Sequence, residues 1–463
     1  MKHFLFGLVA IAPVFLVTVG WGQDGDTVPA SAPGPGTPYP EMPYTVALTP
    51  PTPVNGVQMP LMFSSDDSLS NFLSGGIELG SGYNDNALVT PNNPVSNVSV
   101  LLLPRIEIRQ SRERWNLDFA YSPGLTINQN LSEQNQFAHS LSFTMNYRLS
   151  PHVNLQLRDN FTKTNDLFSG LFGNASGPGP LQQSNSSVIT PLADSTDNNS
   201  GLSLTYQFGA SSLVGISGNY YFVNYGSITG TTGTSGFIDS RSPSAGCFYA
   251  HRFSNRHWVG AAYNFQQLMF DPGGRTVIHG ALGFYSLILG SHMTLSLWAG
   301  PQYSTSYVSN LLVAQPGVGG TLALPSQWSP AAGVMFDWQG SHTSLQAEYG
   351  RQISDGGGLA QAVTLQQTGA EFRRRLTARW TARAVVAYGR NNPLYTSFAT
   401  APLRSLHGNA GIEYRLTDRL RVSVLYGRQQ QRYQYPLLPV ATANQNRVWF
   451  SLSYTFFVRP LGR

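Results

Sequence analysis

Charged side chains are scarce in this 463-residue chain, at 11% of residues, although a soluble globular protein carries roughly 25%. Lysine is nearly absent, with only Lys2 and Lys163, so arginine supplies the formal net charge of +5. The arginines are scattered rather than clustered in an arm or along a helix, which argues against a nucleic-acid partner. Glycine, serine, threonine, asparagine, glutamine and 12% aromatic residues take the place of the missing charge.

Cysteine and long apolar runs are also scarce. Cys247 is the only cysteine, which excludes an internal disulfide and a cysteine-based metal cluster. No apolar run of about 20 residues follows the N-terminus, so a bundle of membrane-spanning helices is excluded. A chain poor in charge, rich in aromatics and without such runs fits strands whose lipid-facing and water-facing side chains alternate.

The N-terminal region predicts export. Met1-Lys2-His3 precedes an apolar stretch over residues 4–19 and small residues after it, so we assign residues 1–23 to a cleaved signal peptide. A single anchoring helix is the alternative. Residues 24–70 are rich in proline, which cannot join a sheet ladder, and we expect a periplasmic or disordered linker there. Residues 71–463 remain for a transmembrane β-barrel, and export without disulfides suits a Gram-negative envelope.

From about Gly75 onward, apolar and polar residues alternate in segments of roughly ten residues, which is the period of a strand with two different faces. Helical spacing fits none of these segments. The last segment shows the pattern most plainly, with Trp449, Ser451, Ser453 and Thr455 alternating with a row of apolar residues. Those apolar residues are Val448, Phe450, Leu452, Tyr454 and Phe456.

Short and long connections alternate along the same region. Residues 150–152 and 417–419 are short turns, whereas residues 163–198 and 431–444 are long loops. Short periplasmic turns and long outer loops are expected of an antiparallel up-and-down barrel. The segments number about 18, with 16 as the alternative because residues 98–109 and 363–373 alternate poorly. An even number places both chain ends in the periplasm.

The leader, the rhythm of strands and loops, and the alternation over Val448–Phe456 resemble bacterial porin-type outer-membrane β-barrel proteins. The resemblance implies recognition of the C-terminal strand by the barrel-assembly machinery. In that family the last strand usually ends on an aromatic, whereas here six residues follow Phe457. The resemblance implies a class of protein and not a solute.

The sequence offers no catalytic arrangement. It contains no nucleophile elbow, no His-Glu-x-x-His and no phosphate-binding loop, so we expect no enzyme activity and no cofactor or metal. His139 and His251 fall on lipid-facing positions, where a lipid hydrolase would need a serine partner, but no serine pattern accompanies them. The expected partners are outer-membrane lipid and lipopolysaccharide, the assembly machinery and small solutes, and a homo-oligomer stays open.

Charged residues on lumen-facing positions are the candidate pore lining. A charge on the lipid side at mid-membrane costs about 2–4 kcal/mol, so the lumen is the favoured side. There, arginines would raise the local anion concentration. Equally, those near turns could bind headgroups or pair across the wall, which leaves Arg158 and Arg383 as the better candidates. The full set is Arg148, Arg158, Arg252, Arg383, Arg415, Arg421, Glu348 and Glu413.

These observations predict an outer-membrane channel for passive diffusion of small hydrophilic solutes, with anion preference as a further expectation. The alternatives are an export barrel for an anionic polysaccharide and a non-transporting surface scaffold or adhesin. A soluble all-β repeat protein fits the low charge poorly. The loops at 168–179 and 226–236 are nearly uncharged, and either one could fold inward to narrow a channel.

Overall fold

The computed structural model describes residues 71–164, 194–226, 238–271, 274–289, 292–309, 321–357, 359, 361–395, 402–433 and 441–461. They form one antiparallel sheet of 19 strands and a single 3-10 turn at Ser132–Gln134. The strands are β1 (Phe72–Asn84), β2 (Asn97–Ser111), β3 (Trp115–Asn128), β4 (Gln136–Ser150), β5 (Val153–Thr164), β6 (Ser195–Gln207), β7 (Ser212–Tyr225), β8 (Asp239–Arg252), β9 (His257–Asp271), β10 (Gly274–Ile288), β11 (Met293–Ser309), β12 (Thr321–Ala323), β13 (Gln327–Gln339), β14 (Thr343–Ser354), β15 (Val363–Arg375), β16 (Trp380–Pro393), β17 (Leu403–Arg415), β18 (Leu420–Tyr433) and β19 (Ala441–Pro460).

The sheet closes into a barrel because β1 pairs with both β2 and β19. β12 pairs only with the last residues of β11, and β11 also pairs directly with β13, so 18 strands make the wall. This confirms the predicted all-β up-and-down barrel and its strand count, and 16 is wrong. In the described ranges, no helix is long and apolar enough to cross a membrane. The assignments of residues 1–23 and 24–70 lie outside the described residues and stay predictions.

The two ends of the barrel differ in their connections. At the short-turn end, connections of two to four residues join β2 to β3, β4 to β5, β6 to β7, β8 to β9, β10 to β11, β13 to β14, β15 to β16 and β17 to β18. The described part of the barrel also begins and ends there, with the start of β1 and the end of β19. A side-chain oxygen stabilises several of these turns: Ser150 accepts from the N–H of Val153, and Thr377 and Thr417 accept from the N–H groups of Trp380 and Leu420. Serine and threonine hydroxyls close such turns by replacing a backbone acceptor. The opposite end is called the long-loop end.

Alternation along each strand separates an apolar outer face from a polar inner face. On β17, Leu406 and Ile412 are 43% and 47% exposed, whereas Ser405 and His407 on the other face are 1% and 6% exposed. The exposed large hydrophobic residues recur in this way around the wall. An outer apolar surface around a polar interior is the arrangement of a membrane-spanning barrel.

Glycines on the inner face hold aromatic rings flat against the wall. Trp449 on β19 lies over Gly80 and Gly82 of the paired β1, so a Cβ at either glycine would overlap its indole. The same relation joins Phe248 to Gly215, Phe284 to Gly260 and Trp298 to Gly333. A residue without a side chain lets the neighbouring ring lie along the strand instead of across the lumen. Aromatic residues therefore line the interior without filling it.

Candidate functional site

The register places all of the sequence-predicted lining residues on the inner face. Arg148 faces Asn154, and Arg158 faces Thr144, so β4 and β5 carry their arginines inward. Glu348 shares the inner face with Met335. Arg252, Arg383, Arg415, Arg421 and Glu413 follow the same alternation on β8, β16, β17 and β18. That they line a conducting pore stays a prediction.

Arginines at the short-turn end are fixed to the neighbouring turn. Arg252, Arg375 and Arg415 each end a strand, and their guanidinium groups donate to the carbonyl oxygens of Ala210, Ser341 and Ala378 at 3.1, 3.4 and 2.9 Å. These contacts stabilise the turns and also fix where the positive charge lies. Together with Arg148 and Arg421 we call these residues the arginine ring: Arg148, Arg252, Arg375, Arg415 and Arg421.

Two predicted arginines face acidic groups across the wall. Arg383 Nε lies 3.0 Å from Glu371 Oε1, and Arg421 Nη1 lies 3.9 Å from Glu413 Oε1. All four side chains are partly exposed, so these pairs contribute little to folding stability. Arg158 is the most enclosed of the set, at 9% exposed. Pairing across the wall, one of the two sequence alternatives, is thus present at Arg383 and Arg421, whereas a charged pore lining stays a prediction.

An ion-pair network on β2 and β3 was not predicted from the sequence. Glu107 accepts from Arg105 at 2.8 Å and from Arg109 at 3.3 Å, and Arg109 Nε lies 3.2 Å from Asp118. The charged residues at positions 105, 107 and 109 alternate with Pro104, Ile106 and Ile108. This alternation in the sequence could have indicated that the charged residues share one face of the strand. Leucine on both faces at positions 101–103 obscured the alternation of this strand.

An apolar surface covers the inner face of β7–β11 toward the short-turn end. Trp258 and Phe284 are buried at 7% and 3% exposure, and Leu213, Ala250 and Ala262 pack against them. The lumen is therefore asymmetric, because most inward arginines lie on the opposite arc, from β15 through β19 and β1 to β5. The sequence predicted the arginines but not this separation.

The long-loop ends of β14, β15 and β16 bend into the lumen and form an inward lobe, defined here as residues 352–357, 362–365 and 391–395. Pairing between β14 and β13 stops at Arg351. Beyond it Ile353, 1% exposed, packs on Leu268, Phe270 and Ile278 of the inner wall. Ala362, Leu394 and Tyr395 complete the buried cluster, and Ile238 and Leu324 pack against it.

Hydrogen bonds fix the lobe to three other strands of the wall, β7, β8 and β11. The Ile353 N–H donates to Gln302 Oε1 on β11 at 3.1 Å, and Ser240 Oγ on β8 donates to Asp355 Oδ2 at 2.7 Å. Tyr225 at the end of β7 donates its hydroxyl to the Gly357 carbonyl at 3.0 Å. The lobe therefore reaches from β14 past β13, β11, β10 and β9, and it occupies part of the described lumen at the long-loop end.

Asp355 makes this docking sensitive to pH. Burial raises the pKa of its carboxyl above the ordinary 3.8, although hydrogen bonds from Ser240, Gly357 and Ser354 act in the opposite direction. A carboxyl whose pKa is raised in the docked state binds its proton more tightly there. Docking is therefore strongest below the ordinary pKa and weakens as pH rises through the raised value.

We expect the conductance of the barrel to increase as pH rises above the ordinary aspartate pKa of about 4 and through the raised pKa of Asp355, because ionised Asp355 loosens the lobe. Asp355→Asn keeps an acceptor for Ser240 and removes the titration, so its conductance should vary less with pH. Single-channel recording at a series of pH values measures both proteins. An equal pH dependence in wild type and Asp355→Asn would contradict the assignment to this carboxyl.

The loops expected to fold inward are not the ones seen to do so. Residues 168–179 and 227–236 lie outside the described residues, so the expectation for them stays a prediction. The described lobe follows β14, where Ser354-Asp355-Gly356-Gly357 has the composition of an ordinary turn. Gly356 has φ +71°, a backbone conformation in which an added Cβ would be strained.

One outward-facing histidine has a serine beside it, which the sequence did not reveal. Ser212 Oγ lies 2.8 Å from His251 Nδ1, whereas His139 pairs with the hydroxyl of Tyr121 at 3.0 Å. A serine nucleophile also requires a third group that orients the histidine. Among the described hydrogen bonds none joins His251 to a carboxylate. In the same ranges, no three histidine, cysteine or acidic side chains converge as metal ligands.

The closed wall of 18 strands, its apolar outer face and its polar lumen define a membrane-spanning β-barrel of porin-type architecture. No protein-family model and no curated protein matches the sequence. Among solved structures the chain is similar to Pseudomonas aeruginosa OccK2 (OpdF), in complex with glucuronate, at 10% identity and a TM-score of 0.40, over 83% of this chain and 98% of that one.

Two further structures from Pseudomonas aeruginosa are similar in the same way. OpdO is 13% identical with a TM-score of 0.40, over 84% of this chain and 98% of that chain. The outer-membrane protein OpdK is 10% identical with a TM-score of 0.39, over 84% and 99%. Likeness at this level says nothing about the solute of this chain, so its function is argued from its own lumen.

Proposed function

We propose that this barrel is an outer-membrane channel for the passive diffusion of small hydrophilic solutes, with a preference for anions. The observation that carries the proposal is the arginine ring at the short-turn end. Rings of arginine inside a pore raise the local concentration of anions and set selectivity. An 18-strand barrel is wide enough to hold water, and the inward lobe narrows it at the other end.

The ring acts on ions because its charges are held in place and are not all neutralised. Arg252 and Arg415 contact backbone carbonyls, and among the described residues no carboxylate pairs with either. At about 6 Å in water, one unit charge changes the energy of an ion by about 0.7 kcal/mol, which is roughly a threefold change in its local concentration. Two such arginines therefore suffice for a measurable preference at low salt.

The same proposal includes an orientation and partners. We place the short-turn end in the periplasm and the long loops outside the cell, following the usual arrangement of outer-membrane barrels. The barrel-assembly machinery would recognise β19, along which outward-facing apolar residues alternate with inward-facing residues.

Replacing Arg252 and Arg415, the two ring arginines that contact backbone carbonyls and no described carboxylate, should reduce anion selectivity. We expect the Arg252→Gln/Arg415→Gln barrel to shift its anion-to-cation permeability ratio roughly threefold to tenfold toward cations at low salt. The measurement is the reversal potential of single channels in a planar bilayer under a salt gradient. Since both guanidinium groups are exposed, the fold should persist.

The matched control is Arg256→Gln/Arg379→Gln, which removes two exposed arginines from short turns rather than from the ends of strands. Its reversal potential should remain close to that of the wild type. A cation-selective wild type, or an equal shift in both double variants, would refute the role of the ring. A correctly inserted barrel without conductance steps would refute the open channel and favour the polysaccharide exporter or the surface scaffold.

A further inference from the structure

A second group of arginines lies on the outer face, at the long-loop end. Arg390 on β16 stands opposite Arg404 on β17, and Arg404 stands opposite Arg432 on β18. Arg428 lies on the same face of β18, four residues closer than Arg432 to the middle of the strand. All four arginines occupy outward-facing positions of their strands, as does Leu406, which is 43% exposed. We call Arg390, Arg404, Arg428 and Arg432 the arginine patch.

The patch is not neutralised by the protein. Arg390 Nε donates to Asn392 Oδ1 at 3.0 Å, and among the described residues no carboxylate pairs with any member. The chain contains no acidic residue between Glu371 and Glu413 and none in the loop at 434–440. Residues 372–463 contain fifteen arginines and two acidic residues. Among the described residues, the patch therefore has no negative counter-charge.

Like charges directly opposite on paired strands destabilise a sheet. Three neighbouring arginines in one cross-strand row would repel each other at about 4.5–5.5 Å between Cβ atoms. A multivalent anion bound across the row removes this repulsion, since guanidinium groups bind phosphate oxygens in pairs. The arrangement favours a ligand with more than one phosphate over a single carboxylate.

The surface next to the patch is apolar. Toward the middle of the same strands lie Tyr388, Ile412, Val424 and Tyr426, at 39%, 47%, 46% and 47% exposed. A ligand that contacts both surfaces has a phosphate-bearing head and acyl chains that run along the barrel wall. Membrane-spanning barrels commonly place an aromatic girdle at this border, and here arginines lie directly above it.

We propose that the arginine patch binds the phosphorylated glycolipid of the outer leaflet, the lipid A part of lipopolysaccharide, across β16–β18. The proposal rests on the proposed orientation, in which the long-loop end faces the outer leaflet. The two phosphates of lipid A would span the row, and its acyl chains would lie on the exposed apolar surface below. Binding of lipid A on the outer face does not require solute transport through the lumen.

The test compares two double variants of the full chain by native mass spectrometry, with bisphosphorylated lipid A as the probe. Arg404→Gln/Arg432→Gln removes two members of the row, and we expect about fivefold weaker binding for each arginine lost, or about 25-fold in all. Monophosphorylated lipid A and phosphatidylglycerol serve as competitors and should bind the wild type more weakly.

The matched control, Arg241→Gln/Arg275→Gln, also removes two outward arginines at the long-loop end. These two are separated by Met269 of β9 and so do not adjoin. Their loss should leave lipid A binding unchanged. Equal weakening in both variants, unchanged binding in the patch variant, or phosphatidylglycerol binding as tight as lipid A would each overturn the proposal. Channel conductance, recorded separately, tests the proposed function: a barrel without conductance that still binds lipid A through the patch would refute only the channel.

Discussion

Replacement of Ile353 by aspartate should release the inward lobe and raise single-channel conductance, by roughly two- to fivefold if the lobe is the narrowest element of the 18-strand lumen. Ile353 is 1% exposed and packs on Leu268, Phe270 and Ile278. An unpaired carboxylate in such a cluster costs several kcal/mol. Undocking exposes it to water at a lower cost than unfolding the wall, so the pore should widen.

Ile353→Val is the control for this experiment, because it shortens the same side chain without adding charge. It should cost about 0.5–1.5 kcal/mol of docking energy and leave the conductance close to wild type. Planar-bilayer recording compares the two variants, and a urea titration followed by circular dichroism verifies that the wall is intact. If Ile353→Asp kept the wild-type conductance in a folded barrel, the lobe would not be the narrowing element.

The contact of Trp449 with β1 should give the largest stability effect in the wall. Trp449→Ala leaves a cavity and should destabilise the barrel by about 3–5 kcal/mol. Gly82→Val places a Cβ in the indole ring and should cost about 1–3 kcal/mol. In the double variant the new methyl groups enter the space that the indole has left, so the two losses should not add.

Urea unfolding of lipid-inserted protein, followed by circular dichroism, measures the free energy of unfolding for this double-mutant cycle. Gly350→Val is the control, since nothing lies within 4 Å of a Cβ added at that inward-facing glycine. It should change stability far less than Gly82→Val. Strict additivity of the Trp449 and Gly82 effects would show that packing of the Trp449 indole does not depend on the missing side chain at Gly82.

Much of the wall could be predicted from the sequence because side-chain direction on a strand has a period of two. This period, together with short turns that hold the register, assigned Arg148, Arg158 and Glu413 to the inner face. It failed on β2, where Leu101 and Leu103 also face inward and pack on Trp449. A polar lumen that contains apolar clusters breaks the contrast on which the pattern depends.

The lobe could not be predicted, for a different physical reason. Its docking depends on contacts such as Asp355 with Ser240, which lie 115 residues apart. Local sequence shows only a glycine-rich turn there, because the favourable energy comes from the inner wall of distant strands. The arginine patch was equally hidden: Arg390, Arg404 and Arg432 are separated in sequence, and only the pairing register of β16–β18 aligns them.

The closing seam has a consequence for how the barrel forms. β1 pairs with β19 from Phe72 opposite Pro460 to Asn84 opposite Arg447, and the register shifts once between Gly75 and Gly76. Contacts at such separation are the slowest to form, because the loop that they close is nearly the whole chain. Until then the growing sheet has two unpaired edges, which are templates for pairing with other chains. The offset at Gly75–Gly76 also fixes which side chains meet when the edges join, because a slip of one residue would turn the face of an entire strand. The seam is thus the step at which an assembling barrel is most exposed to wrong partners and at which its final alignment is decided.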